Sequence, residues 1–257
     1  MTTAVRASAH APVHFNVKTV PMFRPLRWLG RGIADCWACG WASIAHGFLM
    51  AVLGWMMILI LGSHPYFIAA AISGFLLVAP IMTTGLCELS RRRAAGLSID
   101  FDGSLSALAR NGGALFRFGA VLAVFALMWF AVSEVMLRTV FHGSAVDFSQ
   151  SYWRGFLGLA SQRDVYAYVV IGAALAAFVF AVSAVAVPLI IDRHVGAREA
   201  MAGSLKAVAA NLPAMVVWSA LLVVLTGIGF ATFLFGMIVI VPVLGHATWH
   251  AYRDLIR

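Results

Sequence analysis

The sequence has 257 residues, of which 62% are hydrophobic and only 11% are charged. A soluble globular domain carries roughly 45–50% apolar and about 25% charged residues, so the composition excludes a water-soluble protein and is typical of a chain surrounded by lipid. The net charge of +8 does not indicate a nucleic-acid partner, because the basic residues stand in short segments between apolar runs, where they orient a membrane protein.

The first 41 residues are predicted to form a basic cytoplasmic leader. They carry five lysines or arginines and no apolar run before Trp41, so they do not resemble a cleavable signal peptide, which needs an apolar h-region. Within them, residues 26–41 are expected to form a short amphipathic helix at the membrane interface. Trp28, Trp37 and Trp41 suit that environment because an indole ring is largely apolar but carries one polar group.

Cys36 and Cys39 form a C-x-x-C pair in this segment. A zinc site would require two further ligands at comparable spacing, and a redox motif would require a soluble βαβ unit. The sequence supplies neither, which favours an interpretation of the pair as small apolar residues at the entry of the first span.

Six membrane spans are predicted. A span takes about 20 apolar residues to cross roughly 30 Å of hydrocarbon, and four segments meet this requirement singly: residues 42–61, 66–86, 112–137 and 165–191. A fifth apolar stretch, residues 212–249, holds no charged residue over 38 positions and would be about 57 Å long as one helix. Tilting cannot absorb that mismatch, so we expect a hairpin of two helices, residues 213–228 and 231–252.

The positive charges support this count. With six spans and the N-terminus inside, the inside segments hold 15 of the 18 lysines and arginines when Arg117, at the start of the third span, is counted with the adjoining segment, as the positive-inside rule requires. A five-span arrangement would place Arg253 and Arg257 outside and fits less well. The predicted fold is therefore all-α, with a cytoplasmic leader (residues 1–41), a six-span transmembrane domain (residues 42–252) and a cytoplasmic tail (residues 253–257).

A repeated proline groups the spans into three hairpins. Pro80, Pro188 and Pro242 each stand near the cytoplasmic end of the second helix of a hairpin. A proline there removes one backbone hydrogen bond and is expected to kink the helix.

A second repeat links the hairpins. Residues 104–111 and 204–211 both read Ser-Leu-x-Ala-x-Ala-x-Asn, and each leads directly into a span. Apolar positions three residues apart predict a short cytoplasmic interfacial helix in both places. Asn111 and Asn211 are suited to end that helix.

Four segments carry a resemblance to a known family. Residues 241–255 (VPVLGHATWHAYRDL), 25–29 (PLRWL), 73–80 (SGFLLVAP) and 188–193 (PLIIDR) resemble a bacterial family of predicted integral membrane proteins catalogued as domain of unknown function 2189. The similarity covers nearly the whole chain from about residue 18 onward. It implies a bacterial inner-membrane protein without established activity, although some members of the family carry the label of a cytochrome c oxidase subunit.

The label directs attention to three histidines. His246 and His250 stand four residues apart and so share one face of the last helix, and His46 enters from the same side of the membrane. Together they could offer nitrogen ligands to haem or copper. The alternative is that they bond to lipid phosphate groups or to backbone. A haem–copper catalytic subunit resembles a much longer chain with more histidines deep in the membrane, so catalytic oxidase activity is not expected.

Charged residues within spans are also functional candidates, because their burial in lipid is costly. Glu134 is the deepest, and Arg138 follows four residues later on the same face. This spacing favours a structural ion pair over a proton or ion relay. Glu88, near the inner end of the second span, can pair in the same way with Arg91 or Arg92.

Three functional hypotheses remain open. The sequence contains no phosphate-binding loop, nucleophile elbow or H-E-x-x-H motif, which disfavours the enzymes that use them. The favoured hypothesis is a non-catalytic accessory or assembly subunit without a cofactor, in a membrane complex such as a respiratory oxidase or in a homo-oligomer. The alternatives are a small transporter or channel, indicated by the proline hairpins, and a haem or copper protein that uses the three histidines.

Overall fold

The computed structural model describes residues 15–61, 82–140 and 162–257. Within these ranges the regular structure is α-helical, apart from one isolated antiparallel bridge between Val17 and Ile256. The helices are α1 (Arg24–Cys39), α2 (Trp41–Leu61), α3 (Thr84–Ala94), α4 (Phe101–Val140), α5 (Gln162–Ser183), α6 (Ala186–Arg193), α7 (Ala197–Ala210), α8 (Leu212–Ala231) and α9 (Met237–Leu255). The all-α prediction is confirmed for this part of the chain.

Four segments of the described chain are long and apolar enough to cross a membrane: Trp41–Ile60, Phe101–Met136, Tyr166–Arg193 and Leu212–Ala231. They correspond to the predicted first, third, fourth and fifth spans. The predicted second span, residues 66–86, lies mostly outside the described residues, and so does Pro80. The chain is therefore a polytopic helical membrane protein with at least these four candidate spans.

Helix α1 is amphipathic and lies along α9. It ends at Gly40, whose φ of 53° favours glycine. Its buried face includes Trp28, which was expected at the membrane interface but is fully buried. The indole ring makes a T-shaped contact with Trp218, with 5.9 Å between ring centroids. Trp37 and Trp41 point outward and are strongly exposed, as an interfacial position requires.

The two Ser-Leu-x-Ala-x-Ala-x-Asn segments behave differently. Helix α7 ends at Asn211, as predicted. The prediction of a separate interfacial helix over residues 104–111 is wrong, because these residues are part of the continuous helix α4. The Asn111 amide donates to the carbonyl of Ala107 one turn earlier (3.2 Å) and its oxygen accepts from His194 Nδ1 (2.9 Å). These bonds let an asparagine stay inside a helix instead of ending it.

The two described prolines occupy different helical positions. Pro188 stands in the first turn of α6, just after the break between Ser183 and Ala186. The N–H groups of a first turn have no partner within the helix, so the missing N–H of proline costs no helical hydrogen bond there. Pro242 lies inside α9, which continues through it. Because proline has no N–H, Pro242 leaves the carbonyl oxygen of Ile238 without its helical hydrogen bond. Gly47 of α2 packs against this carbonyl so closely that a Cβ at position 47 would lie 2.1 Å from the oxygen. The Cα–H of Gly47 therefore approaches the freed carbonyl.

Helix α9 is central to the bundle and runs antiparallel to α2. The apolar stretch divides between α8 and α9 at residues 232–236 rather than near 229, and the Trp55 indole donates to the carbonyl of Phe233 in that turn (2.8 Å). At the other end of the two helices, Ser43 meets His246. We call the end with Trp55 the turn end of the bundle.

Both termini of the described chain lie at the opposite end. The amide of Lys18 donates to the carbonyl of Leu255 (2.9 Å), and the amide of Arg257 donates to the carbonyl of Asn16 (3.0 Å). Asn211 also binds the segment that contains Lys18, because its side-chain oxygen accepts a hydrogen bond from the amide of Val20 (2.8 Å). We call this the terminal end of the bundle.

A pair of glycines in α1 tests how closely this helix approaches α9. A Cβ at Gly32 would lie 2.5 Å from the carbonyl oxygen of Val243, whereas a Cβ at Gly30 meets no atom within 4 Å. Gly32→Ala is expected to lower the free energy of unfolding by about 1–3 kcal/mol, as overpacking does. Gly30→Ala should raise it by up to about 1 kcal/mol, because alanine favours the helix. Detergent-solubilised variants can be compared by tryptophan fluorescence during unfolding; equal effects would contradict this packing.

Candidate functional site

Six polar side chains meet at the terminal end, between α1, α2, α3 and α9. We call them the polar cluster. His246 and His250 come from one face of α9, four residues apart, and Ser90 and Arg93 come from one face of α3, three residues apart. The other two are on the first two helices, and the full set is Asp35, Ser43, Ser90, Arg93, His246 and His250.

His246 is the innermost member of the cluster and is fully buried. Its Nε2 lies 2.8 Å from the hydroxyl oxygen of Ser43, and its Nδ1 lies 2.7 Å from the hydroxyl oxygen of Ser90. Both serines are buried as well. Each ring nitrogen therefore has one serine as its hydrogen-bond partner, and the imidazole bridges α2 and α3.

Asp35 connects the buried imidazole to the outer members. Its Oδ2 accepts from Ser90 (2.6 Å) and from His250 Nε2 (3.0 Å), and Arg93 pairs with its Oδ1. Burial by itself raises the pKa of this carboxyl, but the hydrogen bonds from His250 and Ser90 and nearby positive charge outweigh burial and lower the pKa to about 2. Asp35 is therefore an ionised carboxylate, although only 4% of its surface is exposed.

An open pocket of about 270 Å³ reaches the cluster. Asp35, Ser90, Arg93, Ala94 and His250 line it. His246 and Ser43 do not line it, so the pocket ends at the carboxylate and Ser90. The arrangement can exchange protons and bind small polar groups at the pocket wall, while the imidazole behind the wall is reached only through hydrogen bonds.

His46 stands apart from the cluster. Its Nδ1 donates to the carbonyl of Ala42 (2.8 Å), its Nε2 lies 3.2 Å from the hydroxyl of Ser104, and its ring packs on Phe101 with centroids 4.9 Å apart. A side chain at Gly85 would collide with the ring, since its Cβ would lie 2.2 Å from Nε2. The ring is thus enclosed between α2, α3 and the start of α4.

These contacts bear on the haem or copper hypothesis. Both nitrogens of His246 and both of His46 already have protein partners, and His250 Nε2 faces Asp35. In the ranges that the structure describes, no group of three or more histidine, cysteine or carboxylate side chains is placed to hold a metal ion. The geometry gives the hypothesis no support, and it stays a prediction.

Glu88 forms a second carboxylate centre beside the cluster. Arg91 donates to its two oxygens (2.7 and 2.8 Å), and Arg110 of α4 donates to Oε1 (2.7 Å). Burial raises the pKa of Glu88, but these arginine bonds outweigh it and the pKa lies below its ordinary value. Arg92, the other partner considered from the sequence, instead donates to Ser98 (2.7 Å).

Two further sequence predictions concern ionisable side chains. The Arg138 side chain lies outside the described residues, so its pairing with Glu134 stays a prediction. Cys36 and Cys39 are free and buried, and burial raises the pKa of the Cys39 thiol to about 11. A protonated, enclosed thiol is a poor nucleophile and a poor ligand, which supports the interpretation of the pair as small apolar residues.

The sequence interpretation identified both α9 histidines but missed their partners. Asp35 carried a signal, since it stands on the buried face of α1, seven residues after Trp28, three after Gly32 and four before Cys39. A carboxylate on such a face requires a partner. Asp254 is the other acidic residue at the α1–α9 contact, and it accepts from Arg24 (2.6 Å) and from the Trp28 indole (2.9 Å).

Comparison with known proteins gave one match. A family model described as "Predicted integral membrane protein (DUF2189)" matches residues 67–192, which confirms the resemblance drawn from the sequence. The matched region holds two of the four segments that carried that resemblance, apart from Arg193 at the end of the second. No curated protein and no solved structure matches the chain.

Replacement of Asp35 tests the contribution of the cluster to stability. A pKa lowered from 3.8 to about 2 means that ionised Asp35 stabilises the fold above about pH 4 and that this contribution disappears as the pH falls through 2. Asp35→Asn should therefore lower the free energy of unfolding by about 2 kcal/mol near neutral pH, with little effect at pH 2. Asp102→Asn, at an exposed carboxyl, is the control for denaturant unfolding across this pH range. A neutral-pH effect no larger than that of the control would contradict the assignment.

Proposed function

We propose that this chain, whose residues 67–192 belong to the DUF2189 family of predicted integral membrane proteins, is a six-span protein of the bacterial inner membrane. Both termini lie in the cytoplasm. The protein acts as a non-catalytic accessory or assembly subunit of a membrane complex, and a respiratory oxidase is the first complex in which to look for it.

The meeting of the chain ends supports an even number of spans. Val17 and Ile256 form a backbone bridge, and a bridge between the two ends of the described chain fits an arrangement in which both lie on one side of the membrane. Helix α9 has 19 residues and is about 29 Å long, which matches the hydrocarbon thickness. With α9 and the predicted span over residues 66–86, the four candidate spans become six.

The charges support a cytoplasmic terminal end. Ion pairs at that end hold Arg24, Arg91, Arg93, Arg110 and Arg253. Their carboxylate partners keep these arginines beside the bundle, and a concentration of positive charge marks the cytoplasmic side of a membrane protein.

The accessory role is proposed because α8 has an outward face that contains a glycine. Most of the surface of α8 is exposed, and Gly227 meets no atom within 4 Å. Gly229, two residues away, contacts Met237 of the same chain. A small residue on an outward transmembrane face lets a second helix approach closely.

Gly227→Leu tests this role. Leucine favours the helix, and a Cβ at this position meets no atom within 4 Å, so the variant should fold while its side chain blocks a neighbouring helix. Purification in mild detergent with mass spectrometry should recover the same second protein with the wild type and several-fold less of it with Gly227→Leu.

Val170→Leu is the matched control, because it enlarges an exposed side chain of α5 and should leave the recovery unchanged. Recovery of the wild-type chain without a second protein would overturn the proposal. Equal recovery by Gly227→Leu would show that α8 is not the contact surface.

None of the contacts described above tests the transporter or channel hypothesis, which stays a prediction.

A further inference from the structure

We propose that His246 is an interior proton-exchange site, connected to the open pocket by a relay through Ser90 and Asp35. The proposal goes beyond the accessory role, because it assigns a chemical capability to the polar cluster itself. It rests on the direction of each hydrogen bond, which the chemistry of the partners determines.

The directions follow from the pocket inward. An ionised carboxylate can only accept, so the single hydroxyl proton of Ser90 is directed to Asp35 Oδ2, 2.6 Å away. The Ser90 oxygen must then accept from its other neighbour, His246 Nδ1 at 2.7 Å. A neutral imidazole with its proton on Nδ1 has a lone pair on Nε2, and Ser43 donates to it across 2.8 Å. Asp35 therefore determines the tautomer of His246, although the two side chains are connected only through Ser90 and its two hydrogen bonds.

The same bonds describe a balanced proton transfer. The imidazolium form of His246 holds a proton on each nitrogen, and in it Ser43 turns to accept from Nε2. The Nδ1 proton passes to Ser90 as Ser90 passes its own proton to Asp35. Asp35 becomes a neutral acid and releases the proton into the pocket that it lines. Neutral His246 is left with its proton on Nε2. The reverse sequence returns a proton from the pocket to Nδ1, so the ring exchanges its proton with the pocket, and no bond other than O–H and N–H changes.

The groups around His246 act in opposite senses on a proton at its ring. Asp35 of α1 attracts a proton on His246, while His250 of α9, His46 of α2 and Arg93 of α3 oppose one. Asp35 and the hydroxyls of Ser43 and Ser90 are the groups that can accept or pass a proton at the ring. Serine at both nitrogens is suited to this task, because a hydroxyl can donate or accept, and so neutral and charged His246 both keep two hydrogen bonds.

Nitrogen NMR of the ¹⁵N-histidine-labelled protein in detergent micelles tests the proposal. The His246 signals, identified by their loss in His246→Gln, should show a protonated Nδ1 and an unprotonated Nε2 near neutral pH. In Ser90→Ala the Nδ1 proton loses its acceptor, so the tautomer should switch to a protonated Nε2 that donates to Ser43. Exchange of the ring proton with deuterated water should also slow by about tenfold or more, because the connection to the pocket is lost.

Ser106→Ala is the matched control, because the Ser106 hydroxyl bonds to Gly103 and Arg110 and not to the cluster. It should change neither the tautomer nor the exchange rate. A protonated Nε2 in the wild-type protein would overturn the proposal without any variant. So would a Ser90→Ala protein that keeps the wild-type tautomer or exchanges its ring proton as fast as the control.

Discussion

The last helix carries three polar side chains on the face that it buries, and the first three helices are arranged to bond them. His246, His250 and Asp254 stand at successive intervals of four, so they line one face of α9. An unpartnered buried polar group costs about 1–3 kcal/mol. Serines from α2 and α3, Asp35 from α1, and Arg24 and Trp28 from α1 supply the partners.

This requirement explains features that look unrelated in the sequence. The partners can reach α9 only if α1 and α2 approach its backbone, and Gly32 and Gly47 are the positions at which a side chain would collide with it. Because α1 is the first helix of the described chain and α9 is the last, their contact also brings the two ends of the described chain together. The polar face of α9 thus determines which helices pack around it.

The sequence predicts the fold better than the site. Span length and the absence of charge depend on local composition, so the apolar helices could be located directly. Residues 104–111 were wrongly predicted to form a separate helix, because an asparagine can either end a helix or form a hydrogen bond one turn back inside it. The residue that helps to hold Asn111 inside the helix is His194, which is 83 residues away in the sequence. Likewise, the spacing of His246 and His250 revealed a shared face, but Asp35 lies 215 residues from His250 and no local pattern connects them.

The position of residues 232–236 is the most direct test of α9 as a membrane-crossing helix. Phe233→Cys would be placed in a chain with Cys36, Cys39 and Cys87 replaced by alanine, and Arg257→Cys would serve as the reference at the other end. A membrane-impermeant maleimide should label Phe233→Cys in intact spheroplasts and Arg257→Cys only after lysis. If both positions were labelled only after lysis, α9 would not cross the membrane and the account of the bundle would be contradicted.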